Sequence, residues 1–123
     1  MMREVAALYR ASSWAKNPSR AALFDEYAAN ISLSVRSRLY VNGTAGGYWA
    51  CEMPTGELVQ VRHIIDFVTV GPALAGDLSP LQVSEMAAFV ARELRTPHWL
   101  RALSLGDGAA SRSDRKDHGP WGS

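Results

Sequence analysis

The feature that most constrains this chain is a helical stripe. Phe24, Tyr27, Ala28, Ile31, Val35 and Leu39 recur every three or four residues. That period matches an α-helical turn and not the two-residue alternation of a strand. Asp25, Glu26, Arg36 and Arg38 fall mostly off the stripe, which leaves one face apolar and the other solvated. Asn17 can cap the start, and Pro18 suits the first turn because its missing N–H costs nothing there. The spacing therefore predicts a helix from Pro18 to about Tyr40. A helix of this kind needs another element to cover its apolar face, and the expected class is mainly α, built from helical hairpins.

The flanking segments fit that class. Val5, Leu8, Tyr9 and Trp14 lie at helical spacing and predict a first helix from about Arg3 to Trp14. Ser79-Pro80-Leu81-Gln82 is a strong start signal: serine caps, proline takes the first turn, and glutamine can close a capping box. Val83, Met86, Ala87, Val90 and Leu94 then form a second stripe, ending near Arg95 before Thr96-Pro97. His63 to Leu74 mixes strand formers with a helical face and is read as helix, with Gly71-Pro72 as a break or kink. Between the helical segments, Asn42 to Gly47 breaks the chain. Tyr48–Glu52 and Glu57–Arg62, joined by Met53-Pro54-Thr55-Gly56, predict one small β-hairpin. Trp99, Leu100, Leu103 and Leu105 read as buried, and residues 106–123 as a polar loop or tail.

Composition narrows the function classes. With 123 residues the chain has the length of one domain, and 47% apolar content argues against wholesale disorder. Thirteen basic and twelve acidic residues nearly cancel, so no concentrated basic surface is expected and nucleic acid is not an expected partner. Cys51 is the single cysteine, which precludes an internal disulfide. Met1 to Trp14 carries Arg3, Glu4 and Arg10 and does not read as a secretory signal. No stretch approaches about 18 consecutive apolar residues, the length a membrane span requires. The expected setting is cytoplasmic, with no membrane partner.

Chemically useful groups concentrate in two places. The tail holds Arg112, Asp114, Arg115, Asp117, His118 and Trp121. Carboxylates, guanidinium groups and a flat indole are what a sugar-binding cleft uses, since sugars present hydroxyls around apolar C–H faces. Balanced charges in a solvated tail explain the same residues more simply. Asp117-His118 with Asp114 matches no established zinc or calcium spacing, so no metal and no other cofactor is expected. The second place is Arg62-His63-Ile64-Ile65-Asp66. His63 and Asp66 share a face if this segment is helical, and a carboxylate among such apolar neighbours needs a partner. A structural pair and a ligand-facing pair fit these residues equally well. Cys51 with His63 lacks any nucleophile signature and reads as a buried strand cysteine. Trp49 and Trp99 read as core residues, although Trp99 lies close to the polar tail.

In their order, the segments GYWACEMPTGELVQVRHIIDFVTVG, RTPHWLRALSLGD and SDRKDHGPWGS resemble the six-hairpin glycosidase-like proteins. The resemblance covers roughly Tyr40 to Ser123. It implies an (α/α)6 toroid of paired helices, of which residues 1–123 would be one part, completed by the remainder of a larger chain. It also implies a glycoside-hydrolase-like domain that binds and hydrolyses an oligosaccharide, with this chain alone inactive. Such enzymes set two carboxylates either side of the glycosidic bond. On this reading Asp117 or Asp114 supplies one carboxylate, and Asp66 is a candidate for the other. Arg112, His118, Trp121, Trp99, Arg62 and His63 would grip the carbohydrate substrate. The alternative is a non-catalytic helical interaction module whose apolar stripes bury against a partner, either a different chain or a second copy.

Overall fold

The computed structural model describes residues 1–108. The chain is mainly helical, with two small antiparallel strand pairs, and it divides into two compact units, Met1–Arg38 and the residues from Leu39 onward. Among the described residues no helix is long and apolar enough to cross a membrane.

The first unit is a pair of helices, α1 (Met2–Ala11) and α2 (Pro18–Ser34). α1 ends three residues before Trp14. Ser12 turns to an extended conformation, and its hydroxyl accepts the amide of Ala15 at 2.9 Å. This local bond competes with continuing the helix, as serine side chains often do. At the start of α2 the Asn17 side chain accepts the Arg20 amide at 3.0 Å and Pro18 opens the first turn, as expected. Ala6 and Ala21 are fully buried, and small residues of this kind let two helix backbones approach closely. Tyr9 stacks on Phe24 with ring centroids 5.8 Å apart, and Arg10 pairs with Asp25. The stripe predicted for α2 is only partly covered: Phe24 and Ala28 are half-buried, whereas Tyr27 and Ile31 are about half exposed.

α2 does not run on as α-helix to Tyr40. Val35–Leu39 forms a π turn, and the same ending recurs after α5, at Val90–Leu94. There the Arg95 amide reaches back five residues to the Val90 carbonyl at 2.9 Å. A π turn inserts one residue into the helical repeat and rotates everything beyond it.

The second unit begins with β1 (Tyr40–Val41), which pairs with β2 (Tyr48–Trp49), Tyr40 opposite Trp49 and Val41 opposite Tyr48. This pairing corrects the expectation of one hairpin. The first half of the Tyr48–Glu52 segment turns back to β1. Only β3 (Cys51–Glu52) pairs forward, to β4 (Leu58–Val59). The β3–β4 turn has Gly56 at φ +84°, a backbone conformation that favours glycine. The β1–β2 turn depends on Gly47, at φ +93°. A side chain there would place its Cβ 2.3 Å from the Glu85 carbonyl oxygen, so only glycine lets the turn lie against the Pro80–Phe89 helix.

His63–Leu74 is helical but broken elsewhere than predicted. α3 (Ile65–Val68) and α4 (Val70–Leu74) meet at Thr69, whose hydroxyl donates to the Ile65 carbonyl at 2.6 Å. Gly71 and Pro72 sit in the first turn of α4, where a proline deprives the helix of no hydrogen bond. α5 (Pro80–Phe89) starts on the full capping box: the Ser79 hydroxyl accepts the Gln82 amide and the Gln82 side chain accepts the Ser79 amide.

The core of this unit is aromatic. Tyr48, Phe89 and Leu94 are fully buried, with Val41, Ile64, Phe67 and Val90 packed around them. Phe67 stacks on Phe89 at 5.5 Å, Tyr48 tilts against Phe89 at 4.9 Å, and Trp49 meets Phe67 edge-on at 6.4 Å. Beyond Arg95 the chain returns, so that His63 faces Leu103 and Arg95 faces Leu100 in antiparallel bridges. The reading of Trp99, Leu100 and Leu105 as buried is corrected here: they are 59%, 47% and 70% exposed. Thr96 holds both the amide and the carbonyl of Trp99 in a tight local turn.

Candidate functional site

α3 carries the most unusual ionisable group, met by a backbone amide of β2. Asp66, on the first turn of α3, is 5% exposed. One carboxylate oxygen accepts the backbone amide of Trp49 at 3.3 Å. The other lies 3.8 Å from Nδ1 of His63, beyond hydrogen-bond reach. Burial raises the Asp66 pKa above its ordinary value, while the His63 imidazole and the Trp49 amide act in the opposite sense and only partly compensate. Nδ1 of His63 and Nε1 of Trp49 are both buried without a hydrogen-bond partner among the described residues. His63 and Asp66 are brought near each other, but His63 sits in the bridge to Leu103 before α3 begins, so they do not share a helical face as expected. They form a loose pair.

Arg62 serves a second, tighter network. Its backbone amide donates to Asp107 at 2.7 Å, its carbonyl accepts the Ser104 amide at 2.8 Å, and its guanidinium lies 5.9 Å from the Tyr48 ring centre. In the same network the fully buried Ser104 hydroxyl donates to Glu93 at 2.6 Å, and Arg92 Nε donates to the other Glu93 oxygen at 2.9 Å. These two bonds, the serine first, hold the Glu93 carboxyl below its ordinary pKa. A third carboxylate, Glu85, accepts the Tyr40 hydroxyl at 2.8 Å and the Gly43 amide at 3.0 Å, clamping the β1–β2 turn to α5. Burial, reinforced by Glu85, pushes the Tyr40 hydroxyl pKa well up.

The other candidate residues are distributed differently. Trp99 is exposed beside the His98 ring. Cys51 is on a strand as expected but exposed, because both β3 and β4 are solvated on each face. Asp114, Asp117, Arg112, His118 and Trp121 lie outside the described residues. Among the described residues no three His, Cys, Asp or Glu side chains gather as a metal cage would need. Sequence reasoning missed Glu85, Glu93, Ser104 and Asp107. Their partners are 11 to 45 residues away, and no local spacing marks them.

A groove of about 440 Å³ runs along α5, lined by Phe67, Val83, Met86, Ala87, Val90, Ala91 and Arg95. Most of the stripe predicted to be buried lies here, in the open: Val83 is 51% exposed, and Ala87 and Ala91 are exposed. The residues that α5 and its π turn commit to the core are instead Phe89 and Leu94. A scan against protein-family models found no match to this chain, and searches of curated proteins and of solved structures likewise found none.

Proposed function

We propose that this chain is a non-catalytic helical interaction module that works through the α5 groove. The observation that carries this reading is the open apolar lining of that groove, five aliphatic or methionine side chains and Phe67, interrupted by the single charge of Arg95. Apolar side chains left open side by side on a folded domain are the kind of surface at which partners dock. Val83 and Ala87 stand four residues apart on α5 and Ala91 follows in the π turn, and the two alanines leave room for another chain at close range. Met86 adds an adaptable surface.

The test is the size of the native assembly in source cells. The chain should migrate well above its own 13.4 kDa, and Ala87→Glu, which places a charge in an already exposed position, should return it to monomer size. Migration at 13.4 kDa with or without the substitution would end this reading.

A second reading draws on Asp66 alone. A buried carboxyl with a raised pKa is the kind of group a glycoside hydrolase uses as general acid, so a glycoside-hydrolase-like domain acting on an oligosaccharide remains a proposal for the same chain. Its second carboxylate would come from Asp114 or Asp117. Titration with a panel of oligosaccharides, read by tryptophan fluorescence, separates the two. The interaction module is indifferent to sugars, whereas the hydrolase shows saturable quenching that Asp66→Asn weakens.

A further inference from the structure

We infer that His63 and Asp66 form a proton-operated latch: one proton taken up through His63 closes the 3.8 Å gap between Nδ1 and Oδ1 and ties three segments of the second unit together. The junction is built from segments distant in the chain. Arg62 to Ile64 meet the returning segment, with His63 opposite Leu103, the Ile64 amide on the Ala102 carbonyl and the Ser104 amide on the Arg62 carbonyl. Asp66 sits on α3, and its other carboxylate oxygen holds the Trp49 amide of β2. A hydrogen bond between His63 and Asp66 therefore links the bridge to β2 through α3.

Exposure and charge make the pair responsive to protons. The Asp66 side chain is 7% exposed, and the His63 ring is 19% exposed although its Nδ1 is buried, so the ring reaches solvent by its other atoms. Without a shared proton the pair is a carboxylate beside a neutral imidazole, a net negative charge withdrawn from water. With one proton it is either carboxylate and imidazolium or carboxylic acid and imidazole. Both forms are net neutral, and in both a hydrogen lies between Nδ1 and Oδ1. Burial of Asp66 favours proton uptake, so the latch closes as pH falls through the raised Asp66 value and opens as pH rises through it. Of the ionisable groups in the surrounding elements, His63 is the one whose charge acts on Asp66. α4 carries none. The Tyr48 hydroxyl is bound to Gln60, Tyr40 to Glu85, and Glu93 to Ser104 and Arg92. Asp107 holds the Arg62 amide, the Arg62 guanidinium lies at the Tyr48 ring, and Arg101, on the returning segment, is partly exposed.

The experiment is amide hydrogen exchange on the full chain, followed by NMR from pH 8 down to pH 4. Each rate is expressed as a protection factor, so that the intrinsic pH dependence of exchange cancels. Protection of the Ile64 and Ser104 amides, which hold the bridge, should rise roughly tenfold as pH falls. His63→Gln and Asp66→Asn each keep a polar side chain of similar size but cannot share the proton, and in both the rise should disappear. His98→Gln, at an exposed ring, should leave the rise intact. Constant protection in the unaltered chain would overturn the latch. A rise that survives either Asp66→Asn or His63→Gln would overturn it too, since one group would then be responding alone. A readout that needs no variant is the titration of the unaltered chain. The Trp49 amide and His63 ring signals should shift together along one curve, and separate curves would overturn the shared proton.

Discussion

Asp66 and Glu93 belong to the same unit, Asp66 buried and Glu93 partly exposed, and their surroundings drive them in opposite directions. Asp66 has one weak amide bond at 3.3 Å and an imidazole just out of reach, so burial dominates and its charged form is disfavoured. Glu93 has a serine hydroxyl at 2.6 Å and an arginine at 2.9 Å, and its charged form is favoured. The lesson is that burial alone does not determine what a carboxylate does. The donors around it and its degree of withdrawal from water do so together. The Glu93 network has the character of a structural staple, tying the π turn to the returning segment at Ser104, whereas Asp66 retains unspent hydrogen-bonding capacity.

The sharpest way to break the comparison is to remove each carboxylate. Glu93→Leu leaves the fully buried Ser104 hydroxyl without its acceptor and should cost about 1–3 kcal/mol in urea unfolding. Asp66→Asn keeps an acceptor for the Trp49 amide and removes the charge. It should leave stability at pH 7 unchanged or raise it by about 1 kcal/mol. A loss above about 2 kcal/mol at Asp66 would show that its charge is well paired and would erase the contrast.

The pH dependence sharpens the same point. The Glu93 contribution is present above its ordinary value of 4.5 and is lost as pH falls through its lowered folded pKa. Asp66 acts in the opposite sense. Its protonated form fits the fold, so its contribution is present below the ordinary value of 3.8 and is lost as pH rises through the raised folded pKa. Urea midpoints measured from pH 3 to 7 should therefore change slope in opposite directions in Asp66→Asn and Glu93→Leu. The smallest effect is expected at Arg92→Ala. Its partly exposed bond to Glu93 is worth about 0.2–1 kcal/mol, and a larger loss would move the origin of the Glu93 shift from Ser104 to Arg92.

Particular elements show how far the sequence could be read. Both helix starts were legible, at Asn17-Pro18 and Ser79-Pro80-Leu81-Gln82, and so was the turn from Met53 to Gly56. The closeness of His63 and Asp66 was legible in their spacing, but not that His63 would sit in a bridge to Leu103 outside α3, 3.8 Å from the carboxylate. The β1–β2 pairing went unseen because it depends on Gly47 lying against the Glu85 carbonyl, an approach with no local signature. The assignment of Val83 and Ala87 to the interior failed for a different reason. Periodicity identifies which residues share a face, and it does not say whether anything covers that face.

By itself, the sequence determined where helices start, which faces are apolar and that the chain is mainly helical. Those properties arise from interactions within about one turn, between neighbours in the chain. Only the tertiary structure decided that π turns would end α2 and α5, that Phe89 and Leu94 would fill the core while Val83 and Ala87 stayed open, and that Asp66 and Glu93 would ionise so differently. The ionisation of the two carboxylates depends on groups brought in from distant parts of the chain, Trp49 for Asp66 and Ser104 for Glu93. The free energy of a carboxylate or of an apolar face is set by the groups packed around it, and packing is a property of the folded chain.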